Sequence, residues 1–319
     1  VEIVKIRKED PETFPILPSK IINLKRFAYD DTKNWSCFNA SIGFSPKKGY
    51  AMAFRSSNYV ILPHGELSVN SGVKIKNKIF FAEIGENFSL SDFREIDVPE
   101  SIIPTTRGIE DPRLFWRGNN WHIAAVMMEE HTPVARFCVI KLDAKGTKAT
   151  SVEIYDGVQP NKPEKNWLVP DIKKNSNFDF VYGPNAIIKG DKIIYTMSEN
   201  NLIAGLRGNS HLVEQEDGTY LAVMHKLWVS KRQGYSDKQF GIVDWVDKNY
   251  GHYFVRFSDE GSIVEISPPF QFISRGIEFV GGMVEIGENL VISFGKDDVS
   301  SHLSVIPKKD VLKALRSVE

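Results

Sequence analysis

A chain of 319 residues, 42% hydrophobic and 25% charged, has the material for a sizeable core in one large domain or two ordinary ones. Lys and Arg total 40 against 41 Asp and Glu, so no bulk attraction to nucleic acid or anionic lipid is implied. Cys37 and Cys138 make neither a disulfide framework nor a zinc site of CxxC spacing, and no apolar run approaches the roughly 20 residues of a membrane helix. A reduced, cytoplasmic protein with no nucleic-acid and no membrane partner is expected.

Residues 1–35 are polar and punctuated by Pro11, Pro15 and Pro18, which reads as a lead-in segment wrapping the body. The chain opens on Val rather than Met, pointing to processing or a boundary upstream. A strand–turn–strand unit follows: 38–44, a turn at 46–49, then 50–55. The unit recurs at 114–128, 167–182, 210–225 and 282–294. Ile42, Leu114, Trp167, Leu212 and Met283 are its equivalent points, at uneven steps of a few tens of residues. Five copies of one hairpin are the pattern of radially repeated sheets. Further strand-like runs lie between the copies, and only 308–318 has the composition of an amphipathic helix. The expectation is all-β: a five-bladed β-propeller over 36–306 in a single domain, with a short C-terminal helix in 307–319.

In such a ring the innermost strands line a channel, and polar residues at their starts converge on its mouth. The starts here are Asn39 with Ser41; Glu110, Asp111 and Arg113; Glu164, Lys165 and Asn166; Arg207, Asn209 and Ser210; and Glu278. The densest stretch is Arg107-Gly108-Ile109-Glu110-Asp111-Pro112-Arg113, with two carboxylates between two arginines ahead of an apolar run. It reads as a polar site or as a structural Asp–Arg clamp between strands.

These residues carry a resemblance. Gly108–Phe115 (GIEDPRLF) is similar to the Glu-Asp-Pro-Arg signature of the β-mannoside phosphorylases and mannosidases of glycoside hydrolase family 130, which are five-bladed propellers. Gly218–Lys226 (GTYLAVMHK) resembles the strand of those enzymes that ends in a phosphate-contacting histidine. FNASI at 38–42, Arg55-Ser56-Ser57-Asn58-Tyr59, Glu164-Lys165-Asn166-Trp167, GHYFVRF at 251–257 and SFGKDD at 293–298 look closer to family-130-like domains associated with bacterial glycosyltransferases. The matches span roughly residues 36–306.

The resemblance implies a carbohydrate-active enzyme acting on an oligosaccharide or glycoside, a β-mannoside or a relative. It implies Asp111 as general acid, no bound cofactor, and inorganic phosphate or a sugar phosphate as co-substrate. Arg207, His225 and Arg136 are the matching phosphate-binding candidates; Asn39, Arg55, Asn58, Arg107, Lys165, Asn166 and Asp298 complete the substrate-binding set. Hydrolysis, transfer from a nucleotide sugar and a non-catalytic glycan-binding role remain open beside phosphorolysis. A basic neighbour would depress the Asp111 pKa, so acid catalysis there would need burial or a proton relay.

Several readings stay double at this point. His225 ends an apolar strand and is a ligand or a satisfied core histidine. His252 and Arg256 share one face of a strand and would reach a common anion. Glu278 is a second catalytic carboxylate or an ion-pair partner of Arg275, and Asp298 a site residue or an Asx turn. No P-loop, GxSxG elbow, HExxH or GxGxxG occurs, and no Asp-x-Asp metal site is evident, so no metal is assigned. Oligomeric state is not readable.

Overall fold

The computed structural model describes residues 14–24, 35–61, 67–68, 74–99, 101, 108–128, 135–155, 165–171, 178–184, 186–190, 192–195, 202–236 and 241–318. Strand is their dominant secondary structure. In chain order they form β1 (Lys20–Asn23), β2 (Ser36–Ser45), β3 (Gly49–Ser57), β4 (Val60–Ile61), β5 (Leu67–Ser68), β6 (Asn77–Ile84), β7 (Arg94–Glu95), β8 (Ile109–Arg117), β9 (Asn120–Met128), β10 (Ala135–Leu142), β11 (Ala149–Ile154) and β12 (Trp167–Asp171). Then come β13 (Phe180–Tyr182), β14 (Ala186–Lys189), β15 (Lys192–Tyr195), β16 (Arg207–Gly208), β17 (His211–Glu214), β18 (Tyr220–Ser236), β19 (Gly241–Phe257), β20 (Ile263–Ile266), β21 (Glu278–Ile286), β22 (Asn289–Lys296), β23 (Ser300–Pro307), helix α1 (Lys308–Ala314) and β24 (Arg316–Ser317). No helix among the described residues is long and apolar enough to cross a membrane.

Turn chemistry sets the hairpins. Gly118 and Asn119 both take positive φ between paired Arg117 and Asn120, the two-residue turn whose twist matches the flanking strands. Antiparallel meanders result: β2-β3-β6-β7, β8-β9-β10-β11, and β21-β22-β23. The last is completed by β1, antiparallel to β23, so a strand from the N-terminal segment finishes the C-terminal sheet. A parallel ladder between β12 and β17 joins the sheet β12-β13-β14-β15 to β17-β18-β19-β20, and β24 caps the far edge of the latter. The helix expected over 308–318 ends at Ala314, because the chain turns extended at Leu315 to reach β20.

The five equivalent points of the sequence repeat fall on β2, β8, β12, β17 and β21, and all five side chains are buried. These first strands are mutual neighbours. The amide of Leu114 donates to Ser41 Oγ, that of Ile42 to Ser293 Oγ, and that of Met283 to His211 Nδ1. Close approach is bought with glycine: a Cβ on Gly281 would stand 2.3 Å from the Ala40 carbonyl oxygen. Gly281→Ala should therefore destabilise the protein by about 3 kcal/mol, the upper end for overpacking, as measured by urea denaturation.

One pair of strands exceeds what the sequence pattern indicated. The strand expected to end at His225 continues as β18 to Ser236 and pairs with β19 in register from Tyr220↔Phe257 to Ser236↔Gly241. The residues beyond His225 mix Lys, Arg, Gln and Gly with apolar types and lack the strict alternation that marks a half-buried strand.

Candidate functional site

Bulges at the starts of the first strands build the site. In β8, Glu110 pairs with Val126 and Arg113 with Ala124, leaving Asp111 and Pro112 opposite one residue. In β2, Asn39 and Ala40 are displaced in the same way between Phe38↔Arg55 and Ser41↔Ala53. Asp111 (φ 53°), Asn39 (φ 49°) and Asn166 (φ 68°), just ahead of β12, all adopt the left-handed conformation. Asn and Asp tolerate it better than other side chains, and such strain concentrates at functional sites. The bulges re-aim these side chains toward neighbouring strands.

The outcome is a buried carboxylate–cation cluster. Asp111 Oδ1 accepts from Asn39 Nδ2 at 3.1 Å and from an Arg55 terminal nitrogen at 3.0 Å. The other Arg55 terminal nitrogen meets Glu110 Oε1 at 3.0 Å, and Arg55 Nε donates to Asn77 Oδ1 at 3.0 Å. Lys165 Nζ closes the cluster on Glu110 Oε2 at 2.7 Å. Phe38 and Tyr59 hold the Arg55 guanidinium within cation–π range, at 5.2 and 5.7 Å. Burial alone would raise the Asp111 pKa. Arg55, Lys165 and Arg113, with the Asn39 hydrogen bond, outweigh it and hold the carboxyl below its ordinary range.

Arg113 knits the surrounding strands together. Fully buried, it donates from Nε to the Asn209 carbonyl at 2.7 Å, from one terminal nitrogen to the Asp111 carbonyl at 3.2 Å, and weakly from the other to Asn166 Oδ1 at 3.4 Å. Phe279 lies 5.4 Å from its guanidinium carbon. None of these partners is a carboxylate oxygen, so burial pulls its pKa down to about 10, opposed only by the charge of Asp111. The alternative of an Asp111–Arg113 side-chain clamp is thus replaced: Arg113 holds the Asp111 backbone.

Across from Arg113 stands an imidazole. His225 is buried, stacks on Tyr250 with ring centroids 4.4 Å apart, and has no hydrogen-bond partner for Nδ1 among the described residues. Arg207 is exposed and lies directly opposite it in register. Burial, then His252, Arg207 and Arg113, push the His225 pKa well down, so the ring is neutral. Both side-chain polar atoms of fully buried Asn209 likewise find no partner among the described residues. Tyr250 links the two halves: burial, then Asp298 and Asp111, raise its phenol, against the pull of Arg207. Asp298 enters from the turn after β22, its Oδ2 accepting from the Tyr59 hydroxyl at 2.7 Å.

Asp111, Asn39, Arg55, Lys165, Asn166, Asp298, Arg207 and His225 thus come together from distant parts of the chain. Other expected residues do not. Glu278 is buried and accepts backbone N–H bonds from Phe272, Ile273 and Ser274, the geometry of a loop anchor rather than of a second acid. Arg256 is engaged with Asp217, Glu265 and Thr219 toward the opposite end of its strand. His252 is fully buried beside Phe270 and Phe272, four residues from Arg256 along β19, so the two do not share an anion. Asn58 clamps a loop through Lys74 O and Lys76 N. Arg136 sits two strands out from Ile109, across Met127. Arg107 lies outside the described residues. Among the described residues no group of three or more His, Cys, Asp or Glu side chains is arranged to hold a metal ion.

This fold has close structural counterparts. A β-1,2-mannobiose phosphorylase from Listeria innocua, in complex with β-1,2-mannobiose, superimposes with a TM-score of 0.57 at 14% identity, over 97% of this chain and 98% of its own. The fold is that of the mannoside phosphorylases. A family-130 glycoside hydrolase that targets β-1,2-mannosidic linkages in Candida mannan gives 0.52 at 12% identity, covering 95% and 93%. A GDP-Man-dependent mannosyltransferase from Leishmania mexicana gives 0.52 at 9%, covering 91% of each chain. No protein-family model matches the sequence, and neither does any curated protein.

Sequence reasoning passed over Tyr59, Asn77 and Tyr250. Tyr59 stood in a quoted motif, but Asn58 beside it was the residue selected; Asn77 and Tyr250 carry no local signal, since each owes its place to cross-strand register with Ser57 and Leu227.

Proposed function

We propose that this protein is a five-bladed β-propeller enzyme, the propeller spanning 36–306 between a lead-in segment and a C-terminal tail, that exchanges a β-mannoside bond with phosphate. Asp111 is the acid for the departing glycosidic oxygen, and a sugar 1-phosphate is the product of cleavage or the donor for synthesis. The observation that carries this reading is the pairing of one preorganised carboxylate with buried polar groups that have no hydrogen-bond partner among the described residues. Asp111 is fixed by Asn39 and Arg55, while Asn209 and the His225 Nδ1 await hydrogen bonds. Arg113, a buried cation with no carboxylate hydrogen-bonded to it, and exposed Arg207 supply the field for an anion on that side. Asn39, Lys165 and Asn166 would fix sugar hydroxyls.

The relatives of this fold include a phosphorylase, a hydrolase and a transferase, so the fold does not choose among them. The unpartnered groups beside Arg113 favour a phosphate co-substrate over water. Incubation with mannose 1-phosphate and manno-oligosaccharide acceptors should release inorganic phosphate, and Asp111→Asn should abolish that release. Release of GDP from GDP-mannose with no reaction of mannose 1-phosphate would replace phosphorolysis by transfer. Glycan binding that survives in Asp111→Asn, with no bond cleavage by the unaltered protein, would reduce the site to recognition.

A further inference from the structure

The free site holds Asp111 ionised, so a proton for the departing oxygen must be kept elsewhere. We propose that Asp298 is that store: it carries a proton in the free protein and delivers it during turnover. This rests on the reaction proposed above for its catalytic part only.

The geometry singles Asp298 out. It lies in the tight turn Lys296–Val299, closed by the Val299 amide on the Lys296 carbonyl, and both central residues, Asp297 and Asp298, have positive φ (51° and 53°). Asp tolerates this conformation, and the turn fixes the two carboxylates in different directions. Asp297 has a structural task, accepting from the Ile277 amide at 2.9 Å and lying 3.5 Å from Lys296 Nζ. Asp298 points the other way, and its one hydrogen bond among the described residues is with the Tyr59 hydroxyl.

Charge counting then places the proton. Facing Asp298 are Arg55 and Tyr59 from β3 and the residues after it, Glu110 and Asp111 from β8, and Tyr250 from β19. Arg55 is hydrogen-bonded to Asp111, Glu110 and Asn77, and Lys165 is taken by Glu110. Arg113 adds its charge on the far side of Asp111, so among the described residues Asp298 is the one carboxylate of the three with no cation hydrogen-bonded to it. Two adjacent carboxylates do not both ionise readily without a counter-charge. Burial and the repulsion of Asp111 and Glu110 raise the Asp298 pKa, outweighing Arg55 and the Tyr59 bond.

On turnover the proton passes from Asp298 to Asp111 and on to the glycosidic oxygen as its bond to the anomeric carbon breaks. A phosphate oxygen bonds to that carbon, and the proton lost by hydrogen phosphate restores Asp298. Infrared difference spectra at pH 7 test the store without any substrate. The unaltered protein should show a protonated-carboxyl stretch that Asp298→Asn removes and Asp111→Asn retains; Asn tolerates the turn and can still accept from Tyr59, so the variant keeps its fold. A parent-minus-variant spectrum in which Asp298→Asn removes no protonated-carboxyl intensity, or in which Asp111→Asn removes it instead, overturns the proposal. With mannose 1-phosphate as donor, Asp298→Asn should lower kcat by roughly 10²–10⁴-fold with the alkaline limb of its pH profile displaced. An unchanged profile with a raised KM would reduce Asp298 to a binding role. Should the unaltered protein turn over no sugar phosphate, the reaction fails while the spectra still decide where the proton resides.

Discussion

Replacing Arg55 by methionine should cost about 3–5 kcal/mol of folding stability at pH 7, the range for removing one partner of a buried ion pair. The guanidinium faces Glu110 and Asp111, both less than a tenth exposed, and also anchors Asn77. Methionine fills the slot between Phe38 and Tyr59 but leaves two interior carboxylates with Lys165 as their main compensation. With Arg55 gone, burial raises the Asp111 carboxyl in the folded state relative to the unfolded chain. The burden of that buried charge on the variant is full at neutral pH and eases as the pH falls through the raised value. Guanidinium denaturation of both proteins at pH 7 and pH 5 should show the gap narrowing; a gap that widens on acidification would mean that the carboxylates are satisfied without Arg55.

The protein itself should lose stability steeply between pH 6.5 and pH 5. His211 and His252 are buried and neutral, their pKa values pushed by burial from 6.5 down to about 4 and about 3, helped by Arg113 and Lys296 respectively. His225 is shifted in the same direction. A histidine that resists protonation only when folded leaves stability untouched above its unfolded pKa and erodes it as the pH falls toward the folded value. At pH 5 each ring contributes a loss of about 2 kcal/mol, so His211 and His252 together remove about 4 kcal/mol. Asp298 and Glu278, whose carboxyls burial raises, offset part of this because their folded forms bind protons more readily. His252→Phe isolates the effect: among the described residues neither imidazole nitrogen has a partner in good hydrogen-bond geometry, and Nε2 is 3.7 Å from Glu278 Oε2, too long for one. Thermal melts of the variant should match the parent within about 1 kcal/mol at pH 7 and fall less by pH 5.

The inner strands were readable because their residues obey local rules. Ile42, Leu114, Trp167, Leu212 and Met283 each sit in an apolar run that ends in a turn and begins with polar groups. Asp111 with Asn39 and Lys165 followed from that placement, whereas Arg55, near the end of β3, was reached only through the family resemblance. The rest depends on side-chain direction across strands, which sequence does not encode locally. Glu278 begins a first strand as Asp111 nearly does, yet without a left-handed residue beside it the carboxylate folds back on the 272–274 backbone. Arg256 has the spacing to join His252, but four residues along a strand span about 13 Å. The parallel β12–β17 ladder and the outward run of β18 and β19 are tertiary choices that no local period announces.

The pairing of β1 with β23 has a kinetic meaning. Lys20–Asn23 zips onto His302–Val305, so the fourth strand of this sheet pairs only once two segments far apart along the chain have both been made. A contact so distant along the chain is among the slowest to form and leaves the edge of β23 bare meanwhile. Nascent chains stalled before residue 300 should be the protease-sensitive and aggregation-prone species, however well their earlier sheets have assembled.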